Sequence, residues 1–114
     1  MAGCLFCRIV SKEISSQLVY EDDRCIAFED INPQAPIHIL VVPRKHLDSL
    51  AHATTVDNNL LAHLLITVNQ LAMKKEVADT GYRTVVNTGL MGGQTVQHLH
   101  LHLLAGRPMR WPPG

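Results

Sequence analysis

A run in which histidine alternates with leucine constrains this 114-residue chain more than any other feature of its sequence. The run reads HLHLHLL over residues 98–104. In an extended strand, successive side chains point to opposite faces of the sheet. We therefore predict a strand that carries its three imidazoles on one face and its leucines on the other, and not a helix.

The same spacing limits what these histidines can bind together. In a strand, His98 and His102 lie roughly 13 Å apart, whereas one zinc ion holds its nitrogen ligands at about 2 Å. The three rings therefore cannot form a single zinc site, and at most two neighbours could share an ion with ligands from elsewhere. Serine, threonine or lysine would suit a solvent-exposed face equally well. We therefore favour a functional role for the three histidines.

Charge and cysteine content narrow the class of protein. Ten basic residues balance ten acidic ones, and no run of lysine or arginine suggests a nucleic-acid polymer as partner. A bound phosphate would then be held by amides, hydroxyls and imidazoles, which favours a small ligand. Three cysteines do not form a disulfide framework, and no apolar stretch is long enough to span a membrane. We predict one cytoplasmic domain over residues 1–114 without membrane contact.

Periodicity and chain breakers predict an α+β domain. Strands are expected at LVYEDD, CIAFEDI, IHILVVP, YRTVVNTG and the histidine run, with a short helix at CLFCRIVSKEI. One long helix is expected between Thr54 and Gly81, with Thr54 and Asp57 as a capping box and Gly81 just beyond its end. The predicted fold is a five-stranded, mostly antiparallel sheet with one long and one short helix.

The loop before the histidine run could hold a phosphate. Glycines let the backbone turn closely and expose amide donors, and the next two side chains add further donors; the four residues are Gly92, Gly93, Gln94 and Thr95. A neutral imidazole can attack phosphorus, and His100, with a histidine on each side, is the best-placed nucleophile. For His38 the residues alone leave two readings open, a hydrogen-bonded core histidine or a part of the site.

Three segments of the chain resemble one known family. They are YEDDRCIAFEDINPQAPIHILVVPRKH, GYRTVVNTG and GGQTVQHLHLHLLAGRPMRWPPG, and HLHLHLL matches the His-φ-His-φ-His-φ-φ signature, where φ is hydrophobic. They resemble the histidine triad nucleotide-binding (Hint) branch of the histidine triad (HIT) superfamily. The resemblance implies a purine nucleoside phosphoramidase that works through a nucleotidyl-His100 intermediate, and a homodimer whose sheet continues across the two-fold axis. Two alternatives stay open: a dinucleoside polyphosphate hydrolase, and a nucleotide-sensing module with little turnover.

The same resemblance implies roles for individual residues. His102 would contact the phosphate, Asn87 would lie near phosphate and ribose, and the carboxylate of Asp30 would accept the ribose hydroxyls. The implied catalytic group consists of His98, His100, His102 and His38. The implied purine pocket consists of Leu5, Phe6, Ile9, Phe28, Ile31 and Leu40, and Trp111 in the RWPPG tail would reach the partner's site. Without the resemblance, Asp30, Asn87 and Phe28 would be ordinary turn or core residues.

A cysteine pair near the N-terminus predicts a metal site. Cys4 and Cys7 form a C-x-x-C pair suited to zinc, and too few residues precede Cys4 for the strand of a thioredoxin-like redox unit. Two cysteines need two more ligands. The resemblance supplies them as His46 and His98, and it implies one structural zinc and no cofactor for catalysis. The alternative is a reduced, frayed terminus with His46 at the surface.

Overall fold

The fold is built on one antiparallel sheet of five strands. The structure is a computed structural model and describes residues 3–114. The sheet order is β1-β2-β3-β5-β4, which confirms the predicted α+β class. In chain order the elements are α1 (Leu5–Val10), β1 (Leu18–Glu21), β2 (Cys25–Glu29), β3 (Ile37–Pro43), α2 (Asn58–Lys74), β4 (Tyr82–Val85) and β5 (Leu101–Ala105).

The two faces of the sheet are covered unequally. Because side chains alternate along a strand, each strand sends one set of residues toward α2 and the other set toward α1. The α2 side holds the larger core, with Ile39, Val41 and Leu103 packed against Leu64 and Val68. The opposite face is covered by α1 through Phe6 and Ile9. A six-residue helix cannot cover a whole sheet face, so a pocket remains beside it.

The histidine run is only partly a strand, so the prediction of a strand across all of it was wrong. Strand β5 begins at Leu101, and His98 and His100 lie in the chain leading into it. The neighbouring strand β3 ends at Pro43, which has no N–H for the ladder. The carbonyl of Pro43 instead accepts a hydrogen bond from the His98 ring, at 2.8 Å.

The predicted division of the run between two faces is nevertheless observed. Leu99, Leu101 and Leu103 are all buried in the core beneath α2. His100 and His102 line the pocket on the other face. In an extended chain, successive side chains still point in opposite directions even where the hydrogen bonds between strands are missing.

The long helix begins close to its predicted start. The side chain of Thr54 accepts from the backbone, and the Asp57 carboxylate accepts from the Thr54 N–H, which is the predicted capping box. It caps a 3-10 turn, Thr55–Asp57, that leads directly into α2. No helix within residues 3–114 is long and apolar enough to cross a membrane.

The long helix ends seven residues before Gly81, so the predicted C-terminus was wrong. Glu76 has a φ of 60°, in the left-handed region that glycine usually takes after a helix. Its N–H bonds to the Met73 carbonyl, and the Val77 N–H bonds to the Ala72 carbonyl. These two bonds form a Schellman motif, which closes the helix without a glycine.

Candidate active site and the neighbouring cysteine–histidine cluster

A pocket of about 290 Å³ lies between α1 and the exposed part of the sheet; we call it the α1 pocket. Most of the residues predicted to bind the purine and the phosphate lie together in this pocket. They are Leu5, Phe6, Ile9, Phe28, Asp30, Ile31, Leu40, Thr95, His100 and His102. Ile14, Ser15, Ser16, Glu29 and Val96 also line it and were not singled out from the sequence. The walls are largely apolar, and the two imidazoles lie among the few polar side chains.

Aromatic rings organise the centre of the α1 pocket. The ring of Phe6 packs edge-on against Phe28, with centroids 5.5 Å apart, and against His100 at 5.0 Å. His100 and His102 are neighbours, with centroids 5.0 Å apart. Edge-to-face contacts of this kind fix ring orientation more tightly than burial alone. The position of the His100 ring is therefore determined partly by α1.

The hydrogen bonds of His100 determine which of its nitrogens is free. Its Nδ1 lies 2.7 Å from the carbonyl oxygen of His98 and must donate to it, because a carbonyl only accepts. In the neutral ring the proton is then on Nδ1, and Nε2 carries the lone pair. Burial lowers the pKa of His100, so the ring is neutral at pH 7. His100 thus presents an unprotonated Nε2.

A chain of hydrogen bonds sets the opposite arrangement at His102. The backbone N–H of Gln34 donates to Nδ1 of His38, at 3.0 Å, so the proton of neutral His38 is on Nε2. That N–H donates to Nδ1 of His102, at 2.9 Å, which leaves the His102 proton on Nε2. Nε2 of His102 is the one buried side-chain polar atom within residues 3–114 that has no partner.

Burial keeps this group of imidazoles uncharged. It is the main reason why the pKa of His102 falls to about 4, and the neighbouring His100 and His38 lower it further. Burial also lowers the pKa of His38, against the opposing influence of Asp30. The site therefore places an imidazole lone pair beside an imidazole N–H donor at neutral pH. A buried donor without a partner costs about 1–3 kcal/mol, which an acceptor on a ligand would recover.

Asp30 begins a turn and also lines the α1 pocket. Its Oδ1 accepts from the backbone N–H of Asn32, at 2.8 Å, and so begins the turn that follows β2. Its Oδ2 lies 3.4 Å from Nε2 of His38, and the residue lines the α1 pocket. The carboxylate retains acceptor capacity toward a ligand.

The glycine loop is arranged differently from the predicted phosphate cradle. The amides of Gly93 and Gln94 already bond to carbonyls of the same loop, and a Cβ on Gly92 would lie 2.3 Å from the Thr88 oxygen. The side-chain amide of buried Gln94 donates to the carbonyls of Asp48 and Val96 and accepts from the Gly89 N–H. The glycines and Gln94 therefore build a tight turn, and only Thr95 of this loop lines the pocket.

Two other predicted residues lie outside the α1 pocket. Asn87 is half-buried and follows β4 by two residues. Val85, the last residue of β4, pairs with His102, so Asn87 lies just beyond the end of the β4–β5 ladder. Trp111 is 84% exposed in the C-terminal tail and does not line the pocket of its own chain.

The four predicted metal ligands come together next to the α1 pocket. Nδ1 of His46 lies 3.0 Å from Nδ1 of His98, and the sulfurs of Cys4 and Cys7 lie 3.3 and 3.5 Å from Nδ1 of His98. Cys7 Sγ also lies 3.3 Å from Nδ1 of His46. All four ligand atoms are within 4.8 Å of one another. We call Cys4, Cys7, His46 and His98 the cysteine–histidine cluster.

Hydrogen bonds outside the cluster orient both histidines toward its centre. Nε2 of His98 donates to the Pro43 carbonyl, and Nε2 of His46 donates to the Asp48 carboxylate at 2.6 Å. In the neutral rings both Nδ1 atoms are therefore unprotonated, and they face each other and the two sulfurs, so that both are available as metal ligands. Tetrahedral zinc would separate two nitrogens by about 3.3 Å and nitrogen from sulfur by about 3.6 Å. The donor set fits a metal ion such as zinc.

Two groups that orient these histidines were missed from the sequence. Asp48 lies two residues after His46, and the spacing in HLD could have suggested a carboxylate that holds the imidazole. The Gln34 amide that fixes His38 has no side-chain signal, because it is a backbone group placed by the turn before β3. Backbone partners of this kind become visible only in the folded chain.

Comparison with known proteins agrees with the fold and with the histidine run. Residues 11–109 match the HIT domain. An uncharacterised HIT-like protein of Synechococcus elongatus is 53% identical over 110 residues, or 96% of each chain. The crystal structure of a HIT family hydrolase from Legionella pneumophila is similar with a TM-score of 0.97 and 47% identity, covering 98% of this chain and 100% of that one. A histidine triad nucleotide-binding protein from Candida albicans is similar with a TM-score of 0.81 and 30% identity, over 89% and 73% of the two chains. This chain therefore belongs to the HIT domain family.

Proposed function

We propose that the protein is a purine nucleoside phosphoramidase of the Hint type, with His100 as its nucleophile. The observation that carries the proposal is the pairing of an unprotonated Nε2 on His100 with the unpartnered N–H of His102 on the wall of one pocket. A nucleophile beside a hydrogen-bond donor is what phosphoryl transfer requires. The related Legionella protein is a hydrolase by name, and the related Candida protein is nucleotide-binding by name.

The reaction follows from these two nitrogens. Nε2 of His100 attacks the α-phosphorus of a nucleoside 5'-phosphoramidate, a nitrogen–phosphorus bond to His100 forms, and the phosphorus–amine bond breaks. The Nδ1–H bond to the His98 carbonyl stabilises the positive charge that the ring gains. The N–H of His102 donates to a phosphoryl oxygen. The departing amine takes a proton from solvent as the phosphorus–nitrogen bond breaks. Water then attacks the phosphorus, the bond to His100 breaks to give the nucleoside monophosphate, and the proton that the water loses returns to solvent.

The remainder of the α1 pocket fits a nucleoside. Its apolar wall of Leu5, Phe6 and Phe28 suits a purine ring, which would stack or pack edge-on there. The carboxylate of Asp30 suits the two ribose hydroxyls, and the Thr95 hydroxyl suits the phosphate. Asn87 is assigned to the phosphate and ribose on the basis of the family resemblance, and it follows by two residues Val85, the strand partner of His102.

We also propose that the cysteine–histidine cluster holds one structural zinc ion per chain. Two thiolates and two oriented imidazoles form a closed set of four ligands, typical of a structural zinc site without an open position for substrate. When bound, the ion would tie the N-terminal segment to the chain that leads into β5. Catalysis would need no other cofactor.

The chain is further proposed to form a two-fold homodimer. Strand β4 lies at one edge of the sheet, and an unpaired edge can pair with its copy to continue the sheet. On α2, the side chains of Leu65, Ile66 and Met73 are more than half exposed although they are apolar. Trp111 in the tail would then lie near the partner's α1 pocket.

The test of the proposed activity uses two substrates in parallel. The zinc-loaded protein is incubated with an adenosine 5'-phosphoramidate and with a diadenosine polyphosphate, and amine and nucleotide release are measured. We expect rapid release of AMP and amine from the first and little product from the second. Cleavage of the polyphosphate alone would instead identify a dinucleoside polyphosphate hydrolase. Binding of AMP without turnover of either would identify a nucleotide-sensing module.

A further inference from the structure

Helix α1 has few polar connections to the sheet. Among the polar groups of residues 4–11, only the sulfurs of Cys4 and Cys7 contact residues beyond position 14. They contact His46 and His98. The helix has only six residues, too few to be stable by itself. Its position therefore depends on its apolar contacts and on what the two sulfurs bind.

The segment between the two cysteines also forms a wall of the α1 pocket. Leu5 and Phe6 are the only residues between Cys4 and Cys7, and both line the pocket. Because only two residues separate the cysteines, a displacement of their sulfurs would also displace this wall of the pocket. Phe6 also packs edge-on against the ring of His98, at 6.0 Å, as well as against His100.

A second connection runs through the backbone of His98. The side chain of this residue belongs to the cysteine–histidine cluster, and it is fully buried. Its carbonyl oxygen accepts the Nδ1–H of His100. This hydrogen bond connects the cluster to the nucleophile, whereas the Phe6 ring connects it to the wall that would hold the nucleoside.

The cluster is accessible from outside. Cys4 and His46 border an open cleft of about 550 Å³, which shares Leu5, Thr95 and Val96 with the α1 pocket. Two of the four ligands therefore face solvent-filled space beside the pocket. A cation bound by all four ligand atoms would hold the two Nδ1 atoms, which lie 3.0 Å apart, and the two sulfurs in fixed positions.

We propose that the cysteine–histidine cluster is a positioning device for the nucleoside, so that nucleotide affinity and metal occupancy are coupled through Phe6. The inference rests on the proposed nucleotide function and assigns the cluster a role in binding, beyond holding the fold together. Phe6 acts as a positioning residue between the cluster and the α1 pocket. By linkage, a nucleotide must tighten metal binding by the same factor by which the metal tightens nucleotide binding.

The first test measures AMP binding by calorimetry to the zinc-loaded protein and to protein stripped with a chelator, with circular dichroism as the check on folding. We expect AMP to bind on the order of tenfold more weakly to the stripped protein. Equal affinities in the two folded states would overturn the proposal. If AMP does not bind to the zinc-loaded protein, the proposed nucleotide function itself is wrong.

Two matched phenylalanine variants test the route of the coupling. Phe6→Leu and Phe28→Leu both alter the apolar wall of the α1 pocket, but only Phe6 lies between the cysteines. We expect both to weaken AMP binding, and only Phe6→Leu to remove the dependence of AMP affinity on zinc. Zinc dependence that survives in Phe6→Leu would contradict the assigned route.

A third measurement applies even if the stripped protein unfolds. Cobalt(II) in place of zinc keeps the cluster filled, and its visible d–d absorption reports the geometry of the ligands. Addition of AMP should shift this absorption in the unaltered protein and in Phe28→Leu, and leave it unchanged in Phe6→Leu. An unchanged spectrum in the unaltered protein would show that the cluster and the pocket are independent.

Discussion

At the scale of single residues, the positions of protons distinguish three chemically identical side chains. His98, His100 and His102 are each followed by a leucine. The His98 ring nevertheless donates to the carbonyl of Pro43, the His100 ring donates to the carbonyl of His98, and the His102 ring accepts from His38. One ring therefore belongs to the cysteine–histidine cluster, one carries a free lone pair toward the pocket and one offers an N–H. The partner of each ring determines its chemistry.

His100→Ala tests the nucleophile. Loss of the imidazole removes the covalent route, so we expect kcat for an adenosine phosphoramidate to fall by at least about three orders of magnitude. AMP affinity should change by less than about threefold, because binding depends on the rest of the α1 pocket. His52→Ala, at an exposed histidine whose ring hydrogen-bonds to Ser49, is the control. Turnover by His100→Ala near the unaltered rate would refute the mechanism.

His102→Gln tests the buried neutral imidazole through the pH dependence of stability. The folded-state pKa of His102 is about 4 and the unfolded value about 6.5, so between these values the unfolded chain binds the extra proton. Stability contributed by the neutral ring is complete above about pH 6.5 and is lost as the pH falls toward 4. The groups that face this ring are His38, His100 and Asp30.

Glutamine keeps an N–H and an acceptor but does not titrate. Urea unfolding between pH 7 and pH 4.5 should therefore show a smaller loss of stability for His102→Gln than for the unaltered protein. The remaining loss comes partly from His38, whose pKa is also lowered by burial. Parallel pH profiles for the two proteins would contradict the assignment of a neutral, buried His102.

At the scale of elements, α1 is the part of the fold with the least support of its own. It caps one face of the sheet with Phe6 and Ile9, and its N-cap residue, Cys4, accepts from the backbone N–H of Cys7. A short helix of this kind is stable mainly through tertiary contacts. The sulfur of Cys4 thus caps the helix and also belongs to the cysteine–histidine cluster.

Replacement of both cysteines by serine tests the structural role of the cluster. Loss of the metal should lower Tm by roughly 10 °C or more, because a structural metal contributes its binding energy to folding. At saturating substrate, kcat should fall by less than about threefold, because no ligand touches the reacting atoms. The purified unaltered protein should carry close to one zinc per chain by elemental analysis. Cys25→Ala, at a buried cysteine outside the cluster, should keep that zinc.

At the scale of the whole molecule, the outer face of α2 and the β4 edge of the sheet are left open. The sheet is covered by α2 on one side, but α2 itself exposes Leu65, Ile66 and Met73 to solvent. Within residues 3–114, strand β4 has no neighbour on its outer side. An exposed apolar helix face and an open sheet edge are each typical of an interface between copies of a chain.

Leu65→Asp tests the proposed dimer. Sedimentation equilibrium of the unaltered protein should give twice the mass of one chain, and a buried carboxylate at Leu65 should shift the population toward monomers. Val56→Asp introduces the same charge at an exposed apolar residue outside α2, and it should remain dimeric. A monomeric unaltered protein at micromolar concentration would refute the dimer.

Much of this fold follows from the sequence. The alternation in HLHLHLL determines which side chains face α2 and which face the pocket, because a strand and an extended chain share the period of two. The Thr54 and Asp57 pair marks the start of the long helix because capping is a local interaction. The end of the same helix could not be read locally, since Glu76 adopts a backbone conformation for which its side chain gives no signal.

The sequence by itself determined the two faces of the histidine run, the five strands and the residue types available for chemistry, because these depend on neighbours along the chain. Only the tertiary structure decided where each imidazole proton lies and how the four residues of the cysteine–histidine cluster, spread from position 4 to position 98, come together. Those outcomes depend on partners distant in sequence: the carbonyl of Pro43 for His98, and the amide of Gln34, through His38, for His102. Hydrogen-bond direction is a property of the pair, and the pair exists only once the sheet has formed.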